Sequence, residues 1–153
     1  MPRFIPIPTK AARNFQSGGL DANGQPPERT LCGAEGYPCR HCLRHIQIGA
    51  DMLILAYRPF DSIQPYAELG PIFLCADACP AATDGKMPQI LSSPDYILRG
   101  YSASDRIIYG SGAVTPTDRI AARAEELFSD PQIAYIHVRS ARNNCYQCRI
   151  DRD

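Results

Sequence analysis

The sequence predicts one α+β domain, in which a mainly antiparallel sheet carries one principal helix at about residues 115–129 and long loops join the strands. Fourteen prolines and eleven glycines divide the chain into short segments, which suits a strand-rich domain better than a helical bundle. Segments with strand character outnumber helical ones, and they do not alternate with helices as a parallel sheet requires. A length of 153 residues is typical of a single domain, which we expect to span residues 1–153.

Seven segments have the composition of strands. The first has prolines and is predicted at a sheet edge. The second is a continuous apolar run, typical of a strand buried on both faces, and the third is predicted as a second core strand. The next two are predicted to pair tightly, and the last two to form a hairpin that turns at Asn143 and Asn144. The segments are residues 4–7, 52–57, 71–76, 97–103, 106–109, 133–139 and 145–150.

The principal helix has recognisable start and stop signals. Thr115 is predicted as its N-cap and Pro116 as its first residue, and apolar side chains then recur at helical spacing until Asp130-Pro131 ends it. By contrast, residues 16–29 are rich in glycine, proline and polar side chains. We expect that segment to be a mobile loop.

Charge and hydropathy argue against several classes of partner. Sixteen basic residues balance sixteen acidic ones, whereas nucleic acids and anionic membranes select a positive excess. No apolar run is long enough to span a bilayer, and the first residues lack the apolar segment of a secretory signal. We therefore expect a cytoplasmic protein that binds neither nucleic acid nor membrane. The sequence does not indicate its oligomeric state.

Seven cysteines are the most distinctive chemical feature of the chain. Cys39 and Cys42 form one CxxC pair and Cys145 and Cys148 form another, and two such pairs can complete a tetrahedral zinc site. The pairs lie far apart in sequence, and neither is followed by the glycine common in zinc knuckles. His41, Cys75 and Cys79 could serve as substitute ligands.

Two other interpretations of the cysteines stay open. Reduced cysteines often pack in cores as small apolar residues, which suits Cys75 inside an apolar strand. Alternatively, Arg40 and His41 could stabilise a thiolate at Cys39 or Cys42 and support redox chemistry, although no thioredoxin-like context surrounds them.

A second candidate site lies on the predicted strand 133–139. Alternation places Tyr135, His137 and Arg139 on one face and apolar residues on the other. If loops near residues 59–65 and 79–88 cover the polar face, an anionic small molecule would suit it, with arginine as anchor and histidine as donor or proton carrier.

Several segments together resemble a known family. They are Gly36-Tyr37-Pro38-Cys39-Arg40, Gly70-Pro71-Ile72-Phe73, Ala134-Tyr135-Ile136-His137-Val138, Ala141-Arg142 and Cys145-Tyr146. This combination resembles a bacterial family defined only as domain of unknown function 1203, from about residue 38 to residue 151. The family pattern has cysteines matching Cys39 and Cys145, and the resemblance implies no activity.

The function is therefore left open between two classes. No GxSxG, HExxH, P-loop or GxGxxG motif is present. This favours a ligand-binding or protein-binding domain without catalytic machinery, stabilised by core cysteines or by zinc. The alternative is a small-molecule enzyme that uses the Cys39 and Cys42 thiols or the face formed by Tyr135, His137 and Arg139.

Overall fold

The computed structural model describes all 153 residues and confirms the α+β class, with eight strands in two antiparallel sheets and two short helices. A 3-10 turn, Thr117–Arg119, leads into the second helix. The elements are β1 Arg3–Ile5, α1 Thr9–Gln16, β2 Glu28–Leu31, β3 Asp51–Tyr57, β4 Gly70–Cys75, β5 Asp95–Tyr101, β6 Ala113–Pro116, α2 Ile120–Phe128, β7 Tyr135–Ser140 and β8 Tyr146–Asp151.

The larger sheet has five strands in the order β1-β8-β7-β5-β6, and α2 packs on one of its faces. The helix presents Ile120, Ala124 and Leu127 at helical spacing, and all three are buried. They join a core to which β7 contributes Ile136 and Val138 from the face that alternation predicts to be apolar. The opposite face of β7, with the predicted polar residues, is therefore turned away from α2.

The smaller sheet has three strands in the order β2-β3-β4 and a core of its own. Its buried residues come mainly from β3 and β4, and Ala12 of α1 packs among them. Tyr146, the first residue of β8, also belongs to this second core. The two sheets therefore meet at the start of β8.

The predicted terminal hairpin and the predicted edge strand are both confirmed. β7 and β8 pair antiparallel with a bulge between Val138 and Arg139, and Asn144 in the connecting turn has a φ of 59°. Asparagine tolerates this left-handed conformation better than most residues. β1 lies at the edge of the larger sheet and pairs with β8.

The start of the principal helix differs from the prediction. Thr115 is not an N-cap but the third residue of β6, where it pairs with Tyr96 of β5, and α2 begins at Ile120. The capping signal is overridden because the extended residues 113–116 complete the edge of the larger sheet.

Other differences concern short elements. Residues 106–109 form one isolated bridge, between Ile107 and Tyr101, rather than a strand. Helix α1 and strand β2 were not predicted, and β2 begins at Glu28, inside the expected loop. α1 follows Pro8 and has no side-chain cap, so its sequence carries no start signal. Neither helix has the length and apolar character needed to cross a membrane.

Candidate metal centre and buried polar face

A tight turn presents the first two cysteines of the candidate metal centre. The Cys39 N–H donates to the Arg44 carbonyl over 2.9 Å, and the Leu43 N–H donates to the Cys39 carbonyl over 3.0 Å. Leu43, directly after Cys42, has a φ of 54°, the left-handed conformation that usually favours glycine. The chain therefore makes this turn with leucine in place of the glycine that is common in zinc knuckles.

The other two cysteines lie at the end of the smaller sheet. Cys75 is the last residue of β4, and Cys79 follows a short turn. Helix α1 holds this turn, because the Gln16 amide donates to the Cys75 carbonyl over 3.0 Å and Arg13 donates to the Cys79 carbonyl over 2.7 Å. The unpredicted helix thus positions the second pair of sulfurs.

The four sulfur atoms form one compact group. All lie within 4.8 Å of one another, with 3.8 Å between the sulfurs of Cys39 and Cys79 and 4.0 Å between those of Cys42 and Cys75. A tetrahedral site with zinc–sulfur bonds of about 2.3 Å has sulfur–sulfur edges of about 3.8 Å. None of the cysteines is in a disulfide. The group has the size of a four-thiolate metal site with slightly lengthened edges.

Hydrogen-bond donors surround the sulfurs. The Cys75 N–H donates to the Cys39 sulfur over 3.4 Å, and Nδ1 of the buried His41 lies 3.3 Å from the Cys79 sulfur. Nε2 of His41 lies 2.9 Å from the Thr9 hydroxyl. With its proton on Nδ1, His41 donates to the sulfur and accepts from Thr9, an arrangement that stabilises negative charge on a metal-binding thiolate.

Hydrogen bonds within the cluster shift the pKa values of its four thiols in opposite directions. The hydrogen bond with Cys42, followed by that with Cys75, lowers the pKa of Cys39 to about 6, and the hydrogen bond with Cys39 lowers the pKa of Cys79. The hydrogen bonds with Cys39 raise the pKa of Cys42 and of Cys75. Deprotonated thiols are the form that binds metal.

The structure divides the two predicted CxxC pairs. Cys39 and Cys42 enter the cluster, whereas Cys145 and Cys148 lie outside it. Cys148 points into the core beneath α2, and burial raises its pKa to about 12. Cys145 lies half-buried in the turn before β8.

The two CxxC segments are nevertheless neighbours, joined by the buried side chain of Arg40. Its Nε donates to the Tyr146 carbonyl over 2.7 Å, and its Nη1 donates to the Pro38 carbonyl over 2.7 Å. The contact between the segments is therefore an arginine–carbonyl contact. Sequence reasoning treated Arg40 only as a charge beside a thiol and missed this role.

The second predicted site is brought together but enclosed. Tyr135, His137 and Arg139 share one face of β7, and all three are buried. The Tyr135 hydroxyl donates to Asp105 over 2.7 Å. Four aromatic rings lie within 5.1 Å of the His137 ring, measured between centroids, and they belong to Phe60, Tyr101, Tyr135 and Tyr146.

Of the two loops expected to cover the polar face of β7, only the one near residues 59–65 does so. Phe60, from the loop after β3, covers His137 as expected. The loop 79–88 packs instead near the cysteine turn, where the Ala82 N–H donates to the His41 carbonyl over 3.1 Å. Arg139 differs from its two neighbours on β7 because it lines a cavity beside the β7–β8 turn.

Enclosure of His137 gives stability a pH dependence. Burial, with a smaller contribution from Arg139, holds the pKa of His137 well below its ordinary value of 6.5. Below about pH 6.5 the unfolded chain therefore binds a proton that the folded chain does not, and stability falls as pH falls, by at most about 1.4 kcal/mol per pH unit.

His137→Phe should remove this part of the pH dependence. Urea unfolding of wild type and variant across the acid range measures the two slopes, and other titrating groups contribute equally to both proteins. Equal slopes for the two proteins would show that His137 is hydrated or protonated in the folded state.

Together the fold and the four sulfurs define a cysteine-rich α+β domain with a group of thiols that could hold a metal ion. The chain belongs to the family described as Protein of unknown function (DUF1203), whose model matches residues 36–152. All four clustered cysteines lie within the matched region, whereas α1 precedes it. No curated protein and no solved structure matches the sequence.

Proposed function

We propose that this protein is a zinc-stabilised, non-catalytic domain that binds a small ligand or a protein. The observation that carries the proposal is the close grouping of the sulfurs of Cys39, Cys42, Cys75 and Cys79. Four protein ligands close the shell of a tetrahedral zinc ion, whereas catalytic zinc sites keep a position free for water or substrate. A closed shell of thiolates supports a structural role.

The metal would stabilise the smaller sheet. Its ligands come from the turn at residues 39–42 and from the end of β4, which are already joined by the bond from the Arg40 N–H to the Phe73 carbonyl. β2 is short and all of its residues are exposed, so it adds little buried apolar surface to stabilise this sheet. Binding of zinc to such a site contributes directly to the folding free energy.

Metal content tests the proposal. We expect protein produced in zinc-containing medium and purified under reducing conditions to carry one zinc ion per chain, measured by native mass spectrometry with elemental analysis. Iron in place of zinc would change the metal assignment, because a tetrahedral sulfur site also suits iron. Protein that contains no metal, and takes up none when zinc is added, would contradict the proposal.

Thiol redox chemistry is the competing function, favoured by the short distances within the pairs Cys39–Cys79 and Cys42–Cys75. In that case a peroxide would oxidise each pair, and two thiols and one hydrogen peroxide would yield one disulfide and two waters. Metal-free protein with paired disulfides, turning over peroxide with a dithiol reductant, would support it. Reduced thiols protected by bound zinc would argue against it.

The second enzymatic alternative has weaker support. Acid–base catalysis needs a proton carrier that can reach a substrate, and His137 is enclosed by aromatic rings. The Tyr135 hydroxyl is already bonded to Asp105. These contacts favour a structural role for both side chains and leave Arg139 as the candidate ligand contact on this face.

A further inference from the structure

We propose that Arg139 anchors a small oxyanion, a carboxylate or a phosphate group, in the cavity between the β7–β8 turn and the β3–β4 loop. This inference gives a chemical class to the ligand of the binding domain proposed above, and it rests on that role. It is independent of the metal centre, because Arg139 makes no contact with the cysteine cluster.

The main observation is a buried arginine whose donors are largely unused. The side chain of Arg139 is 5% exposed, and its Nε and Nη2 atoms have no hydrogen-bond partner. Its Nη1 donates to the Asn144 carbonyl over a long 3.3 Å. Buried guanidinium groups normally satisfy their donors, because an unpaired buried charge is costly. Less than 1 Å² of either atom is exposed, so an oxyanion would reach them after a small movement of the cavity wall and would then supply both missing acceptors in a bidentate contact.

The nearest carboxylate does not meet this need. Oε1 of Glu68 lies 3.6 Å from Nη2 of Arg139, too far for a hydrogen bond, and it makes a much shorter ion pair with Arg99. One carboxylate therefore faces two guanidinium groups. Arg149 is paired separately with Asp151, so it does not compete for Glu68.

The cavity beside Arg139 has a suitable size and is lined by two phenols, but the Glu68 carboxylate also lines it. Its volume is about 150 Å³, room for about five waters at roughly 30 Å³ each, and it is lined by Tyr57, Tyr146 and Glu68 together with the Asn144 turn. Burial raises the pKa of Tyr57 to about 12 and that of Tyr146 well above its ordinary value. Both phenols are therefore protonated near neutral pH and can donate to an anion.

The position also suits a binding site mechanically. Arg139 lies on β7, a strand with neighbours on both sides, and opposite the bulge in β8, where Gln147 is the extra residue between the partners of Val138 and Arg139. Bulges often redirect a side chain beside a functional site. A rigid strand holds the guanidinium group in place before the anion arrives, which reduces the entropic cost of binding.

Titration with two probes tests the inference. Inorganic phosphate and acetate are titrated separately into the full chain by calorimetry, with chloride keeping the ionic strength constant. We expect one of them to bind at a single site with a Kd of about 1 mM or lower. The stronger probe identifies the group that the cavity selects. Failure of both probes to bind would overturn the proposal.

Matched variants locate the site. Arg139→Gln should weaken binding at least about tenfold, the loss expected for a charge-assisted bidentate contact. Arg142→Gln makes the same charge change at an exposed residue that pairs with Asp95, and it should leave Kd unchanged. Equal loss in both variants would show general electrostatic attraction and overturn the site.

Two further variants keep the test decisive if Arg139→Gln fails to fold. Glu68→Gln should tighten binding several-fold because it removes the negative charge that lines the cavity, whereas Asp95→Asn, with the same charge change elsewhere, should not. Tyr57→Phe should weaken binding about fivefold through the loss of one donor. Unchanged affinity in both Glu68→Gln and Tyr57→Phe would overturn the proposal.

The outcomes for the metal and for the anion can be separated. Zinc content should be the same in wild type and in every variant of the anion site. A protein with zinc but no anion binding would contradict only this inference, and one that binds phosphate or acetate without metal would contradict only the metal assignment.

Discussion

Cys42→Ser should abolish stable zinc binding and lower the free energy of unfolding by about 3 kcal/mol or more. A serine hydroxyl is a poor ligand for zinc, and structural zinc sites contribute binding energies of about 10–16 kcal/mol to folding. We expect the loss to be only part of that range because two apolar cores also stabilise the fold. Metal analysis and urea unfolding at fixed zinc concentration measure the two effects.

Cys145→Ser is the matched control for this variant. Both cysteines are half-buried and belong to CxxC pairs, but Cys145 lies outside the four-sulfur cluster. We expect the control to keep one zinc ion and nearly the wild-type stability. Retention of zinc by Cys42→Ser, or equal destabilisation in both variants, would contradict the assigned ligand set.

Arg40→Met should lower the free energy of unfolding by about 3 kcal/mol or more. The variant keeps an unbranched side chain beside Phe73 but removes both donors to the Pro38 and Tyr146 carbonyls. Hydrogen bonds from charged groups contribute about 1.5–3 kcal/mol each, and the abandoned Tyr146 carbonyl stays buried. Burial lowers the pKa of Arg40 to about 10, so the native side chain is still charged at neutral pH.

Arg44→Met provides the comparison. Arg44 lies in the same turn, but its side chain is exposed. We therefore expect Arg44→Met to change the free energy of unfolding by no more than about 0.5 kcal/mol. Urea unfolding of both variants at saturating zinc separates the contribution of Arg40 from that of the metal. A small effect of Arg40→Met would show that the two segments are held together by packing alone.

Features encoded by local patterns could be predicted from the sequence. The apolar runs at residues 52–57 and 71–76 became β3 and β4, but neither strand is buried throughout, so the expected burial of the first on both faces was wrong. The terminal hairpin was predictable because strand alternation and an asparagine turn agree. The shared face of Tyr135 and His137 followed from the same alternation.

Features that depend on tertiary placement could not be predicted. Cys75 ends an apolar strand and therefore looked like a core residue, and only its position beside the turn at Cys39 brings its sulfur into the cluster. A short spacing to Cys79, directly after a strand end, was the signal that could have revealed the second pair. The unused donors of Arg139 have no sequence signal, because they depend on what Glu68 contacts instead.

The sheet order has a consequence for synthesis on the ribosome. β2, β3 and β4 are adjacent in sequence and hold the turn with Cys39, so the smaller sheet and its sulfur cluster can assemble once Cys79 has emerged. β1 is made earlier but pairs only with β8, nearly the whole sequence later. Strands so far apart in sequence pair late and slowly during folding. We therefore expect the four sulfurs to come together while the larger sheet is still incomplete, and under the zinc proposal the zinc supply would act on folding before that sheet is complete.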